Sequence, residues 1–229
     1  MIAITLALPT ESFDLRHQLR EAREDGSLVV GELNNRAIAI LHTGVGARDC
    51  NERIETLLHK ERPRLVISSG FAGAVIDNLQ VGDLILAENF SDPQLLASAE
   101  RILIERKPRL VKLFTSTSIV DSVDKRDEIA RASGAAAVDM ETGSIVGVCN
   151  AHGVPVLSLR VISDTPAQSF PAPPDVLFDI ERQRTSYGRL LAYLLRRPGS
   201  IGPLLHFARR IRDGRAKLTD AIVALVKEL

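Results

Sequence analysis

Short apolar runs, separated by polar residues, glycine and proline, set the rhythm of this chain. Residues 1–8 are apolar without alternation, which predicts a strand buried on both faces. Pro9 and Thr10 break that run, and Thr10 is a candidate cap for a helix from about Ser12 to Asp25. Two strands are expected at Ser27–Leu33 and Arg36–Thr43. Asn34-Asn35 between them tolerates the positive φ of a tight hairpin turn. A helix running to about Glu61, before Pro63, leads to a buried strand over residues 64–69. That strand delivers Gly70-Phe71-Ala72-Gly73, and residues 81–86 return to the sheet. Beyond it the pattern predicts a helix near Gln94–Arg106, a strand near Arg109–Phe114 and a helix near Ser122–Ala132, with Asp121 or Ser122 as its N-cap.

The stretch Gly134–Asp164 carries the most information. It reads as strand, helix, strand, with Asp139 and Glu141 after the first strand and Arg160, Ser163 and Asp164 closing the second. In an α/β sheet, strand ends beside a crossover are where ligands bind. A proline-rich segment, TPAQSFPAPPD, follows Asp164 and is expected to lie over the site.

Composition narrows the class. The chain has 229 residues, 45% hydrophobic, with no Trp and an aliphatic core expected from Leu, Val, Ile and Ala. Twenty-nine basic and 29 acidic residues cancel, so the whole chain carries no bias toward nucleic acid. The balance hides a basic segment. From Arg182 to Lys217 there are ten Lys or Arg and one acid, Asp213, interleaved with leucines. Such a segment is either a solvated helical face or an amphipathic surface for anionic lipid or a partner. Cys50 and Cys149 lack metal-ligand spacing and fit buried, reduced thiols. No metal or cofactor is expected. No apolar run reaches the roughly 18–20 residues of a membrane span, and the N-terminus lacks the basic start of a signal peptide. Cytoplasm is the expected compartment.

The acids suggest chemistry. Asp164, shielded at a strand tip, is suited to hold a proton and donate it to a purine ring nitrogen; the bland reading is a turn cap. Asp139 and Glu141, two apart, would share one face of a strand-like stretch, with one of them accepting two sugar hydroxyls and Asp139 open to a structural role. Arg160 is expected to pair with Glu141. Glu11, past the end of the first strand, is a candidate to take a proton from water, as in two-carboxylate glycoside chemistry. No phosphate-binding GxxxxGK[ST] loop, dinucleotide GxGxxG or GxSxG elbow is present, and His42, His59 and His152 are dispersed and have no metal-partner spacing.

Four collinear blocks carry a resemblance. VDMETGSIVGVC followed by PVLSLRVISD, ISSGFAGAVIDNLQVGDLILAE, LHTGVGARDC and ALPTES resemble the purine nucleoside phosphorylase and methylthioadenosine/S-adenosylhomocysteine nucleosidase superfamily over residues 1–180. The resemblance implies an α/β fold with a mixed, twisted central sheet, a barrel-like portion and flanking helices. Residues 1–180 would form that domain, and 181–229 a basic helical tail packed on it or extending from it. It also implies cleavage of an N-glycosidic bond. Asp164 would protonate the purine, Glu141 and Met140 would hold the ribose, Arg160 would orient Glu141, and Glu11 would activate water. Ser163, Gly70, Phe71, Ile119 and Val138 would line the base and nucleophile pocket. A homo-oligomer is implied, since neighbouring subunits of the family often complete the pocket.

Phosphorylases of the family place an arginine where this chain has Ser68, which favours water over phosphate; His42 and Arg48 are the candidate substitutes for that cation. Phe71 stands where nucleosidases carry Ser, Ser118 where they carry a base-stacking Phe, and the 88–108 segment is short. SGFAG, AVDMET and the basic C-terminal features look more like the hopanoid-associated branch, whose substrate carries a lipid body. That implies an adenine nucleoside such as adenosylhopane, with peripheral membrane contact through Arg182–Lys217.

Overall fold

The computed structural model describes residues 1–46, 50–173, 176, 178, 179, 184, 185 and 187–229. Its centre is a ten-stranded mixed sheet. The strands are β1 (Ile2–Leu6), β2 (Arg20–Asp25), β3 (Leu28–Leu33), β4 (Arg36–His42), β5 (Leu65–Ala74), β6 (Leu84–Ala87), β7 (Arg109–Val111), β8 (Leu113–Thr115), β9 (Ala137–Asp139) and β10 (Val156–Asp164). Eight of them run in the order β2-β3-β4-β1-β5-β10-β6-β7, and β8 and β9 form a branch from β5. The four central strands, β4, β1, β5 and β10, are parallel and largely buried, as in a sheet covered on both faces.

The helices cover both faces. They are α1 (Phe13–Arg16), α2 (Cys50–Glu61), α3 (Pro93–Ile102), α4 (Val123–Ser133), α5 (Thr142–Ala151), α6 (Tyr187–Arg196) and α7 (Ile201–Glu228). Alternation along β1 divides the core. Ile2, Ile4 and Leu6 point into a large cluster closed by Leu218, Ile222 and Leu225 of α7. Ala3 points the other way, where Ile54 and Leu57 of α2 meet Ile145 of α5. The last helix is therefore built into the same core as the first strand. Among the described residues no helix is long and apolar enough to cross a membrane.

The long strand β5 creates the opening that matters. Along one edge it pairs with β1 over Leu65–Ser68 and with β9 only at Gly73 and Ala74. The opposite edge is continuously paired with β10. Residues 69–72 thus face a gap between the end of β1 and the end of β9.

Several expected elements differ. The helix expected over Ser12–Asp25 is one turn at Phe13–Arg16, followed by strand β2, and Thr10 is not its cap; Ser12 occupies that position. All six residues of β2 are exposed, so no apolar stripe exists to hold a helix against the core. Pairing with β3 holds the segment instead, with Gly26 at φ 60° in the turn between them. The Asn34-Asn35 turn does adopt positive φ, 53° and 61°. The strand near Arg109–Phe114 is two short strands with different partners, β6 and β9. The helix near Gln94–Arg106 ends at Ile102, and a 3-10 turn follows.

Candidate active site

Four chain segments meet at the gap beside β5. The loop after β1 brings Glu11, whose Oε2 accepts a hydrogen bond from the Ala7 N–H at 3.1 Å. The end of β9 brings Asp139, the start of α5 brings Glu141, and β10 brings Arg160. Arg160 stands opposite Gly70 in the β5–β10 register. Gly70 has φ 142°, and a Cβ there would come within 3.0 Å of Arg160 Nη1 and 3.2 Å of Glu11 Oε2. Only glycine fits both that backbone and that crowding. The same two distances place Glu11 and Arg160 side by side.

Asp139 organises the cluster. Its carboxylate accepts from Arg160 Nε at 3.1 Å, from Thr115 Oγ1 at 2.9 Å, and from the N–H and hydroxyl of Thr142, and it lies 2.8 Å from Arg160 Nη2 as an ion pair. Arg160 Nη2 also donates to Ser68 Oγ at 2.9 Å and Thr142 Oγ1 at 2.6 Å. The expected Arg160–Glu141 pair is therefore corrected: the guanidinium sits on Asp139. The reason is local. Glu141 has left the strand and occupies the N-cap position of α5, but its side chain does not cap. Asp139 does that work through the Thr142 N–H, which frees the Glu141 carboxylate to accept from Gly46 N–H at 2.9 Å. Met140 lies beside the same glycine.

Three carboxylates thus surround one guanidinium. Burial, and next the Glu141 charge, push Glu11 up to about 7; Arg160 and the Ala7 and Leu8 N–H groups pull the other way. Burial, and next Asp139, raise Glu141 as well, against the pull of Gly46 N–H and Arg160. Two adjacent acids displaced this far share protons near neutral pH.

The second group stands three residues further along β5, about 10 Å at strand spacing. Asp164 lies opposite Gly73 and is buried, at 2% exposure. Ser163 Oγ donates to its Oδ1 at 2.5 Å, and Arg126 of α4 makes a buried ion pair with its Oδ2. Arg126 also donates to the carbonyls of Ala74 and Val120. Asp164 is shielded, as expected, and Arg126 is a charge partner that the sequence reading did not name. Val138 and Val120 form an apolar wall with Val75, and Ile119, half-buried, precedes Val120. Phe71 does not join the site. Its ring lies against Gly214 of α7, on the face of β5 opposite Gly70. The described part of the proline-rich segment leans on α7, through Phe170 against Phe207 and Gln168 accepting from Arg210 at 2.6 Å.

A cleft of about 430 Å³ lies between α2 and the β3–β4 hairpin, lined by Asp25, Leu28, Leu41, Arg53 and Lys60 among others. It gathers no set of buried acids. Converging polar groups, not room, locate the site.

Residues 1–97 and 88–197 match the family model described as phosphorylase superfamily. The chain belongs to the phosphorylase superfamily. A 5'-methylthioadenosine/S-adenosylhomocysteine nucleosidase of Staphylococcus haemolyticus (strain JCSC1435) is 26% identical over 196 residues, covering 72% of this chain and 86% of its own. The enzyme of that name from Actinobacillus succinogenes is 30% identical over 170 residues, 61% of this chain and 74% of its own. Among solved structures, the nucleosidase of S. pneumoniae with the transition-state inhibitor MT-ImmA superposes with a TM-score of 0.75 at 20% identity, covering 99% and 98% of the two chains. The futalosine hydrolase of Helicobacter pylori strain 26695 gives 0.74 at 19% identity, over 100% and 97%. These structural likenesses establish the shared fold.

Within that superfamily, the phosphate question turns on Ser68, His42 and Arg48. Ser68 is buried and spends its hydroxyl on Arg160. His42 is no substitute cation: burial first, then Arg16, lowers it to about 4, and it sits 2.8 Å from Ser12 Oγ. Arg48 lies outside the described residues. The sequence reading missed Arg126. A signal existed, since Arg126 falls three and four residues before Ile129 and Ala130, which pack inward from α4.

Proposed function

We propose that this protein is a purine nucleosidase that hydrolyses the N-glycosidic bond of an adenine nucleoside. The observation that carries the reading is the cluster of Glu11, Asp139 and Glu141 around Arg160 at the gap in β5, with Asp164 of β10 opposite Gly73, about 10 Å further along β5. That separation suits a ligand with a sugar at one end and a base at the other. Asp164, oriented by Ser163 and Arg126, takes up a proton from solvent and passes it to a purine ring nitrogen as the bond from the ribose carbon to the base breaks. Glu141, beside Met140, accepts the ribose hydroxyls. Glu11 takes a proton from the water whose oxygen attacks the ribose carbon, and the surplus of carboxylates stabilises the oxocarbenium-like charge. Arg160 acts at one remove, fixing Asp139 and the start of α5.

The relatives support this class, being 5'-methylthioadenosine/S-adenosylhomocysteine nucleosidases, whose name specifies 5'-substituted adenine nucleosides. For the 5' group of this chain's substrate the reading is an apolar, lipid-linked body such as that of adenosylhopane. The outer end of α6 and α7 supports it: Leu195, Ile201 and Leu205 are exposed beside Arg196, Arg197 and Arg209. Four other cations of the segment, Arg210, Arg212, Arg215 and Lys217, already have protein partners.

The test is adenine release from a panel of adenosine derivatives with different 5' groups, with and without phosphate. Release without phosphate is expected. Strict phosphate dependence would replace the hydrolase with a phosphorylase. Co-sedimentation with anionic vesicles at low salt tests the membrane surface; turnover of soluble methylthioadenosine with no vesicle binding would remove the lipid-linked substrate.

A further inference from the structure

A second cluster of ligating side chains stands on the far parts of the two helices that frame Glu141. Glu55 and His59 lie one turn apart on α2, and His152 is the C-cap residue of α5. The two helices are locked together beneath them by Cys50, Ile54, Leu57, Ile145 and Cys149. Glu55 Oε2 is 2.6 Å from His152 Nε2 and 3.8 Å from His59 Nε2. The three ligand atoms all lie within 4.8 Å of one another. The imidazoles meet edge to face with centroids 5.4 Å apart, so both turn a ring nitrogen toward one carboxylate oxygen.

We propose that Glu55, His59 and His152 form a binding site for a divalent transition-metal ion of the zinc type, with solvent completing the coordination. A hydrogen bond accounts for one histidine only, because 3.8 Å is beyond hydrogen-bonding distance for the other. One divalent ion between the three atoms satisfies both rings and the carboxylate together. Tetrahedral zinc, with bonds of about 2.0–2.1 Å to nitrogen and oxygen, sets its donors about 3.3 Å apart, between the two separations seen here. The side chains can make that adjustment, since His59 is 74% and Glu55 44% exposed. Two imidazoles and one carboxylate select zinc, copper or nickel over magnesium or calcium.

The position gives the ion a consequence. α5 begins beside Glu141, and α2 follows the turn whose Gly46 N–H holds that carboxylate. An ion tying His152 to α2 braces both helices about 15 Å from Glu141, the length of α5. This consequence rests on the nucleosidase reading; ion binding itself does not.

The experiment uses the full chain without an affinity tag, stripped with chelator and titrated with Zn²⁺ by calorimetry and with Co²⁺ by visible absorption. One ion per chain is expected, with cobalt bands of a nitrogen–oxygen site and a higher unfolding midpoint in zinc. His59→Ala and His152→Ala should each weaken binding more than about tenfold, beyond the lower bound for loss of an outer-shell partner. His59→Ala decides alone if His152→Ala fails to fold, because an exposed ring can be removed without disturbing the core. Absence of saturable zinc binding overturns the proposal. So does binding undiminished in His59→Ala, or equal binding of Mg²⁺. None of these readings uses adenine release, so failure of the nucleosidase assignment leaves them intact.

Discussion

The two polar groups beside β5 both draw on β10, yet their charge balance differs. At the Gly70 level, Glu11, Asp139 and Glu141 share one cation, Arg160. At the Gly73 level, Asp164 has a cation of its own, Arg126. The first group holds an excess of acid, so protons there are shared and movable, and Glu11 is raised to about 7. The second is matched one to one, and its carboxylate is fixed by an ion pair and a hydroxyl. A reaction that builds positive charge on a sugar and negative charge on a base needs this asymmetry. In the proposed reaction the acid-rich end would meet the cationic ribose, and the end with a guanidinium behind its acid would meet the leaving base.

The sharpest way to break the comparison is to neutralise one acid at each end. Asp164→Asn should lower adenine release by about 10²–10⁴-fold, the range for removal of a positioned proton donor. Glu141→Gln should lower it too, with part of the loss in KM if the carboxylate holds ribose in the ground state. Unchanged turnover in Asp164→Asn would remove the general acid and leave the base end a structural ion pair.

Removing the cations comes next. Breaking a buried ion pair from one side costs about 3–5 kcal/mol, because a charge is left unpartnered. Arg126→Met leaves one such carboxylate; Arg160→Met leaves three. Arg160→Met should therefore be the more damaging, and lowering the pH from 8 to 6 should restore part of its stability by protonating Glu11 and Glu141. Chemical denaturation at both pH values measures this. Equal losses with equal pH response would mean that the three acids do not act as one group.

What could be read from the sequence follows from range. Buried parallel strands such as Ile2–Leu6 and Leu65–Ala74 announce themselves through their own apolar runs. Glu11, Glu141, Arg160 and Asp164 stood out as polar groups at the ends of such runs. Strand β2 did not, because its six exposed residues carry no pattern and only its neighbour β3 makes it a strand; the Asp25-Gly26 turn signal was the available clue. Pairing was equally hidden. Arg160 could reach either Asp139 or Glu141 on sequence grounds, and the choice is made by the end of β9, where Asp139 stays in the strand and Glu141 steps out of it. Arg126 approaches Asp164 from 38 residues away, a contact no local pattern announces.

The mildest test probes the shared proton through stability. The folded state raises Glu11 from 4.5 to about 7, with burial the main cause and Glu141 the second. Below pH 4.5 the group is protonated in folded and unfolded chains alike and favours neither. Between pH 4.5 and 7 the folded protein holds a proton that the unfolded chain has lost, so stability falls as pH rises, by about 3 kcal/mol across that window for one such group. Above pH 7 the loss is complete. Glu11→Gln cannot ionise and escapes this penalty. It should unfold like the wild type near pH 4.5, then become progressively more stable than the wild type, by about 3 kcal/mol at pH 8. It should also lose turnover, since the water would have no base. A stability difference constant from pH 5 to 8 would mean that Glu11 does not share a buried proton, and the acid-rich end would then be no more reactive than the balanced one.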